Sequence, residues 1–329
     1  MMRTTRRTAL GLLTASAMAL TTGLPARAQE KPKLRFSAVF SEQDIRAEMM
    51  QQLQAAVSDT ADVEMFYGGN LFKQGTEIIA IQRGNLEMGN VAPQDIANQI
   101  PAFSILTSAY LFRDAAHLKT FFESDAGAEM KKLAEDQLGI HILGPTYFGT
   151  RQVGLRIDKE VQTPEDMSGV KLRMPGGDSW QFLGEALGAN PTPMAYAEVY
   201  TGLQTGAIDG EDNPYPNIEN MKFYEVMTQI VRTSHLVGYD LLVISKAAYD
   251  AMTEEEQTAF DTAADEAIAW STEQHLAREE ELGAFFEEKG LKISTPDVEA
   301  FRTNAQQMYL DSDISKDWPE GMLDKINAL

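Results

Sequence analysis

One arginine stands near the end of a short apolar segment in the stretch KLRMPGGDSW, residues 171–180. A guanidinium offers paired N–H donors that match a carboxylate at two points, so Arg173 is a candidate for fixing an anion. The segment 175–177, Pro-Gly-Gly, would end a strand and let backbone approach a bound molecule closely. An ion pair within the protein accounts for the same arginine equally well, and the pattern alone leaves both roles open.

Two side chains just after this turn are further candidates. Asp178 opens the stretch DSWQFLGEALG, and with Gln181 three residues later it resembles a capping box, which favours a role in capping a helix. A second role, accepting a hydroxyl group of a ligand, stays open for Asp178. Trp180 would either pack in the core or form one wall of a cleft.

A second arginine stands in the stretch YFGTRQVGLR, between two predicted strand segments. Arg151 would be either a second cation for the same anion or a surface residue. Tyr147 in this stretch and Tyr215 farther along are aromatic candidates for shaping a binding pocket and excluding water, although Tyr147 is more typical of a core residue. Glu211 and Asp212 could hold a hard cation, but a solvated loop is the more typical setting for such a pair.

Sequence patterns typical of catalysis are missing. The chain has no cysteine and no GxSxG, HExxH, phosphate-loop or GxGxxG motif, and its four histidines show no metal-ligand spacing. The sequence therefore favours a binding protein over an enzyme, and it predicts neither a cofactor nor a metal ion.

The first 28 residues have the composition of a secretory signal. Arg3, Arg6 and Arg7 precede an uncharged, moderately apolar segment, residues 8–24, and the sequence Pro-Ala-Arg-Ala follows it. This order predicts cleavage after Ala28. The two adjacent arginines leave the twin-arginine and the general export routes both open. We therefore expect an exported, periplasmic protein.

The charge balance excludes one class of partner. The formal net charge is −21, and loss of the four arginines of the predicted signal would bring it to −25. A protein this acidic lacks the basic face that neutralises nucleic-acid phosphates. We expect a monomer that does not insert into the membrane, and an anion would have to be bound by a local, well-placed cation.

Alternating strand and helix patterns open the predicted mature chain. Residues 34–40 and 63–67 have strand composition, residues 44–57 have a helical apolar spacing, GTEIIAIQRG predicts a short helix, and NLEMGNVA predicts a buried strand. This order predicts an α/β layer with parallel strand pairing.

A small unit appears twice, as EIIAIQRGNLEMGN ending at Asn90 and as EVYTGLQTGAIDGEDN ending at Asn213. Each copy has an apolar helix, a glycine stop and a short strand that runs into an asparagine. The repeat predicts two lobes of related build. Ligands of open α/β sheets bind beyond the carboxyl ends of the strands, so Asn90 and Asn213 would face each other across a cleft.

The last third of the chain is predicted to be helical. Thr253 and Glu256 form a capping box, and no proline interrupts the chain from there to Gly290. A helix of that length would extend roughly 50 Å at 1.5 Å per residue, which is enough to brace both lobes.

Long stretches from Thr150 to Ser245 resemble the substrate-binding proteins of tripartite ATP-independent periplasmic (TRAP) transporters, the family typified by C4-dicarboxylate-binding members. The matching stretches are TPEDMSGVKLRMP, LGANPTPMAYAEVYTGLQTGAIDGEDNP and KFYEV followed by TSHLVGYDLLVIS. A weaker match, including QRGNLEMGNVAP, extends over the whole predicted mature chain.

The resemblance implies an α/β periplasmic binding protein of the two-lobed, type II-like architecture, with a hinge and a long helix spanning both lobes. It places one lobe at residues 29–148 plus 239–278 and the other at 149–238 plus 279–329. By this resemblance, Arg173 pairs with the ligand carboxylate, while Arg151 and Asn213 complete the anion site. The closed protein would then dock to the membrane permease subunits.

The stretches VFSEQD and NVAPQD do not match the polar contacts of sialic-acid-binding members, so sialic acid is disfavoured. Pro-Gly-Gly-Asp-Ser-Trp next to Arg173 suits a hydroxylated acid, which ranks hydroxylated or sugar monocarboxylates first, C4-dicarboxylates second and small sulfonates third. The alternatives are a ligand-binding partner of a signalling sensor, a periplasmic enzyme acting on sugar acids, and the binding component of an ATP-driven importer. The predicted ligand-binding residues are Arg173, Arg151, Asn213, Asp178, Trp180, Tyr147, Asn90 and Tyr215.

Overall fold

A nine-stranded mixed sheet runs through residues 31–329, the part of the chain that the computed structural model describes. The predicted signal peptide, residues 1–28, lies outside the described residues. The strands are β1 (Lys33–Ser37), β2 (Asp62–Phe66), β3 (Met88–Val91), β4 (Ile140–Leu155), β5 (Lys171–Met174), β6 (Asn190–Pro193), β7 (Gly210–Asn213), β8 (Gln229–Ser245) and β9 (Lys292–Ser294).

Twelve α-helices cover both faces of this sheet in the same described range. They are α1 (Ile45–Ala56), α2 (Glu77–Gln82), α3 (Pro93–Ala97), α4 (Ala115–Glu123), α5 (Asp125–Leu138), α6 (Asp178–Ala186), α7 (Val199–Thr205), α8 (Tyr215–Asn220), α9 (Lys246–Asp250), α10 (Glu254–Glu288), α11 (Val298–Asp311) and α12 (Met322–Asn327). None of the helices in residues 31–329 is long and apolar enough to cross a bilayer.

The predicted α/β alternation is confirmed. Strand β1 pairs in parallel with both β2 and β3, and helices α1 and α2 form the connections. The repeated unit is also confirmed, since α2 leads into β3 and α7 leads into β7. Gly84 and Gly206, which end the two helices, have φ angles of 70° and 75°, a left-handed conformation that glycine adopts without steric cost.

Two long antiparallel strands, β4 and β8, extend through the whole sheet and divide it into two halves. The first half adds β3, β1 and β2 beside the carboxyl-terminal part of β8. The second half adds β7, β5 and β6 beside the carboxyl-terminal part of β4, and β9 beside the start of β8. The register between β4 and β8 shifts at three places in β4, between residues 142 and 144, 147 and 149, and 151 and 153.

Each half of the sheet has buried apolar side chains on its two faces. In the first half, one core includes Phe121 and Leu241 and the other includes Phe36 and Phe260. Two further cores, one of them around Leu172, cover the second half. Because helices cover both faces, the inner strands are buried on both sides. Strand β7, with the sequence GEDN, is buried but polar.

Helix α10 joins the two halves. Its predicted capping box is confirmed, since the Thr253 hydroxyl accepts from the Glu256 amide and the Glu256 carboxylate accepts from the Thr253 amide. The helix packs against α1 in the first half and α8 in the second. Near the crossover of β4, the Glu279 carboxylate accepts hydrogen bonds from the Thr150 amide, at 2.6 Å, and from the Tyr147 hydroxyl.

Candidate ligand-binding site

A cavity lies between the two halves, beyond the carboxyl ends of their parallel strands. Residues that end or follow β1, β3, β5 and β7 line it, which is where open α/β sheets bind ligands. The cavity has a volume of about 40 Å³. The lining residues are Val39, Arg46, Gln74, Ala92, Phe148, Arg151, Arg173, Pro175, Trp180, Tyr196, Asn213, Asn217 and Asp240.

Strand β5 carries Arg173 into this cavity with only 1% of the residue exposed. Its Nε donates to the Met194 carbonyl at 2.8 Å, and its Nη2 donates to Gln74 Oε1 at 3.1 Å. Within residues 31–329 no carboxylate lies within 4.0 Å of this guanidinium, so the alternative of an internal ion pair is wrong. Burial lowers the pKa of Arg173 to about 10, and the side chain remains a cation at neutral pH.

Arg151 on β4 also lines the cavity, and it is 4% exposed, so the surface alternative is wrong. Its Nε donates to Asp212 Oδ2 at 2.7 Å and its Nη2 to Asp212 Oδ1 at 3.0 Å. The guanidinium carbon lies 5.0 Å from the centre of the Trp180 ring, a cation–π contact. Burial alone would raise the pKa of Asp212, but the Arg151 charge and the hydrogen bonds outweigh burial and bring it to about 2.

Behind this pair, His235 supports the Asp212 carboxylate. His235 Nε2 lies 3.1 Å from Asp212 Oδ2, and Nδ1 lies 2.8 Å from the Thr233 hydroxyl oxygen. Burial lowers the pKa of His235, which keeps the ring neutral at neutral pH. The neutral ring therefore orients Asp212 without adding a charge of its own.

The prediction of a solvated loop for Glu211 and Asp212 is wrong, because both are fully buried in β7 between β4 and β5. Burial raises the pKa of Glu211 to about 8, so its carboxyl group is mostly protonated at neutral pH. No group of acidic or histidine side chains in residues 31–329 has the arrangement of a metal site.

A third arginine, Arg46 on α1, was not predicted as a site residue. Its guanidinium lies between the Phe40 and Phe148 rings, 4.4 Å and 4.2 Å from their centres. It donates to both oxygens of Asp44, at 2.8 and 2.9 Å, and to Asp240 Oδ2 at 2.9 Å. The sequence could have shown that Arg46 is buried, because position 46 shares a helical face with the buried residues 49, 50 and 53 of α1.

Asn213, predicted as a site residue, lines the cavity and is 2% exposed. Its Nδ2 donates to Glu211, and its Oδ1 accepts from Asn217 Nδ2 at 3.2 Å. Asn217 was not predicted, although it also lines the cavity. In the described chain its Oδ1 is buried without a hydrogen-bond partner, as is Nε1 of the predicted cavity residue Trp180.

Four predicted residues lie outside the cavity lining, and three of them are buried. Asn90 accepts a hydrogen bond from the Thr146 hydroxyl at 2.9 Å and donates one to Asp240 at 3.0 Å. Asn90 therefore contacts the lining residue Asp240 without lining the cavity itself. Tyr147 lies in the core, because successive strand side chains point to opposite faces and Phe148 takes the cavity side. Tyr215 packs edge-on against Phe286, with ring centres 5.3 Å apart.

Asp178 is exposed and does not line the cavity. Its predicted capping role is wrong, since Gly177 is the N-cap of α6 and Asp178 is the first helical residue, with no side-chain cap bond. Gly177 has a φ of 109°, so the chain enters the helix through a conformation that glycine allows. That shifts the helix start by one residue and turns Asp178 toward solvent.

The site contains three buried cations but a carboxylate partner for only two. Asp44 pairs with Arg46, and Asp212 pairs with Arg151. Arg173 is held by neutral oxygen atoms alone among the described residues. Asp240 is a second acid beside Arg46, so the arginines and acids around the cavity balance in number. Arg173 is nevertheless the one of these three guanidinium groups without a carboxylate within 4.0 Å in residues 31–329, which leaves it available to one anionic group.

The family comparison agrees with this geometry. The model of the family described as "Bacterial extracellular solute-binding protein, family 7" matches residues 36–315. The chain belongs to this family. The resemblance to TRAP solute-binding proteins, with their two-lobed α/β fold, is thereby confirmed.

Solved structures of TRAP periplasmic solute-binding proteins superpose closely on this one. A TRAP periplasmic solute-binding protein from Roseobacter denitrificans, with bound 3-deoxy-D-manno-oct-2-ulosonic acid (KDO), is 45% identical, with a TM-score of 0.90 over 91% of this chain and 99% of its own. A second, from Sulfitobacter sp. NAS-14.1 with bound β-D-galacturonate, is 25% identical, with a TM-score of 0.82 over 90% and 98%. The sialic acid-binding periplasmic protein SiaP of Vibrio cholerae is 32% identical over 214 residues, 65% of this chain and 66% of its own.

Proposed function

We propose that this family 7 protein is an extracytoplasmic solute receptor for a hydroxylated or sugar monocarboxylate, which it delivers to a TRAP transporter permease. The observation that carries the proposal is the buried guanidinium of Arg173, which has no carboxylate partner in residues 31–329. A ligand carboxylate would accept two charge-assisted hydrogen bonds from it, in a site from which water is largely excluded.

The charge count favours one carboxylate per ligand. A second carboxylate, as in a C4-dicarboxylate, would have to lie near Asp212 or Asp240, whose partners Arg151 and Arg46 are already paired with acids. Burial raises the pKa of Asp240 to about 6, so it is mostly ionised at neutral pH and would repel a second acid group. We therefore rank monocarboxylates above C4-dicarboxylates and small sulfonates.

The remaining lining suits hydroxyl groups. Asp240 and the unpaired Oδ1 of Asn217 are acceptors, and the unpaired Nε1 of Trp180 is a donor. Phe148, Trp180 and Tyr196 add aromatic walls, the usual combination of apolar surface and a few placed polar groups in a small-molecule site. The KDO-bound structure at 45% identity makes KDO and related sugar acids the first ligands to test.

Ligand capture would close two hinged lobes, predicted as residues 29–148 plus 239–278 and residues 149–238 plus 279–329. Helix α12, at the end of the second range, packs on α5 in the first half and would move with that half. The sheet supports a division near residue 148, because β3 pairs with the carboxyl-terminal part of β8 and β7 with the carboxyl-terminal part of β4. A ligand held between lobes stabilises the closed state by binding it more tightly than the open one. The closed form would then dock to the permease.

We also infer that residues 1–28 direct export and that the mature protein works in the periplasm, as the name of the curated relative SiaP states for that protein. No chemical step belongs to this function. A bound sugar acid should accordingly be recovered unchanged after long incubation with the protein.

A thermal-shift panel tests the ligand class, because a ligand that binds only the folded state raises the melting temperature by mass action. The panel compares KDO, β-D-galacturonate, N-acetylneuraminate, succinate and isethionate. We expect KDO or galacturonate to give the largest shift and succinate and isethionate to give little. A large succinate shift with none from the sugar acids would contradict the assignment to sugar monocarboxylates.

A further inference from the structure

Gln74 links the two halves at the cavity itself. It belongs to the loop between β2 and α2 in the first half, and its Oε1 accepts two hydrogen bonds from the second half. Arg173 Nη2 donates at 3.1 Å and the Tyr196 backbone amide donates at 3.0 Å. A single oxygen atom therefore connects the proposed carboxylate-binding arginine to the opposite side of the cleft.

The position of this oxygen limits how Arg173 can meet a ligand. Gln74 Oε1 and the Met194 carbonyl occupy the edge of the guanidinium formed by Nη2 and Nε. Nη1 makes no hydrogen bond within residues 31–329, so the end of the guanidinium formed by Nη1 and Nη2 stays open to the cavity. Gln74 thus fixes the side chain without covering the donors that a carboxylate needs.

The chemical neutrality of Gln74 is as important as its position. An amide oxygen holds the guanidinium but does not cancel its charge, so the attraction for a ligand carboxylate is retained. A carboxylate at the same point would form a buried, charge-assisted pair with Arg173 and would compete with the ligand. Glutamine meets the geometric requirement and avoids this competition.

We propose that Gln74 is a positioning residue that couples capture of the ligand carboxylate by Arg173 to closure of the two halves, and that it must be neutral to do so. This role rests on the proposed function, since it requires that Arg173 binds the ligand. Closing brings Gln74 to Arg173 and Tyr196, and a ligand on the free end of Arg173 holds the guanidinium in the orientation that Gln74 accepts.

Gln74→Glu and Gln74→Ala test this role, with Gln82→Glu as a matched control on the exposed surface of α2. KDO and β-D-galacturonate are the probes, titrated by calorimetry, and X-ray scattering measures compactness without ligand. We expect Gln74→Glu to be more compact than the wild type without ligand and to bind the probes at least 100-fold more weakly at pH 7.5. We expect Gln74→Ala to bind about tenfold more weakly and Gln82→Glu to match the wild type.

A pH series separates this role from simple damage to the fold. Acidification titrates Asp240 in every variant, so the comparison is between variants at each pH. Protonation of the introduced carboxyl group should restore more affinity in Gln74→Glu than the same acidification does in Gln74→Ala. Wild-type affinity in Gln74→Glu at pH 7.5 would overturn the inference. Should the wild type bind none of the probes, the proposed ligand class fails separately, and scattering still decides the coupling: a more compact Gln74→Glu supports it, and unchanged compactness overturns it.

Discussion

The pairing of Arg151 with Asp212 provides a test in which stability and anion binding should change in opposite directions. Asp212→Asn keeps the size of the side chain but leaves the 4%-exposed Arg151 without its carboxylate partner. Removing one partner of a buried ion pair costs about 3–5 kcal/mol of unfolding free energy. An unfolding entropy of about 2.1 cal/mol/K per residue, over the roughly 300 residues of the described chain, converts this loss into a drop of about 5–8 °C in melting temperature.

Anion binding should strengthen in the same variant. Asp212→Asn leaves two guanidinium groups at the cavity without a directly paired carboxylate, those of Arg151 and Arg173, in place of one. A second ligand carboxylate about 4 Å from the freed guanidinium would gain up to about 4 kcal/mol at an effective dielectric constant of about 20. The variant should therefore accept a dicarboxylate that the wild type rejects.

Galacturonate and galactarate are suitable ligands for this comparison, because galactarate is galacturonate with its C1 aldehyde carbon oxidised to a second carboxylate. We expect the wild type to show the larger thermal shift with galacturonate, and Asp212→Asn to show a galactarate shift at least as large. Asp62→Asn, on the exposed side of β2, is the control and should change neither property. The reasoning is refuted if Asp212→Asn melts at the wild-type temperature, or if it melts lower and still rejects galactarate.

Two other substitutions test the buried acids and the polar lining. Burial raises the pKa of Glu77 to about 8 in the folded protein, whereas in the unfolded chain Glu77 loses its proton near pH 4. Between pH 4 and pH 8 the folded state therefore binds one more proton than the unfolded state. The contribution of Glu77 to the unfolding free energy then declines by up to about 1.4 kcal/mol for each unit of rising pH. Glu77→Gln should make the fall in melting temperature from pH 5.5 to pH 8 shallower than in the wild type or in Glu48→Gln, an exposed control, and equal slopes would contradict this. Trp180→Phe keeps an aromatic ring against Arg151 but removes Nε1–H, so calorimetry should show about 3- to 10-fold weaker sugar-acid binding. Unchanged affinity would mean that Nε1 does not reach the ligand.

The predictable part of the fold came from periodicity. The apolar spacing of α1, the uninterrupted segment that became α10 and the repeated helix–strand unit each specify local structure, and all three are confirmed. The start of α6 was missed by one residue, because the positive φ of Gly177 moves the cap away from Asp178. Such a shift depends on backbone geometry that a capping pattern does not contain.

The site was predictable in part: the strand residues Arg173 and Arg151 were found, and the loop residue Gln74 was missed. Arg173 and Arg151 were found because they interrupt apolar strand segments, which gives a charged residue a fixed direction. Gln74 belongs to a loop without periodicity, and its role depends on contacts with residues 99 and 122 positions away. Tyr147 was chosen over Phe148 because sequence alone does not say which face of β4 meets the cavity.

The central claim is that Arg173 captures the carboxylate of the ligand, and calorimetric titration of Arg173→Ala with the preferred sugar acid tests it most directly. Two hydrogen bonds to a charged group contribute about 3–6 kcal/mol, so the affinity should fall by at least about 100-fold. Arg173→Lys keeps the charge but lacks the paired donors, and it should recover only part of the loss. An Arg173→Ala variant that binds the sugar acid as tightly as the wild type would contradict the account.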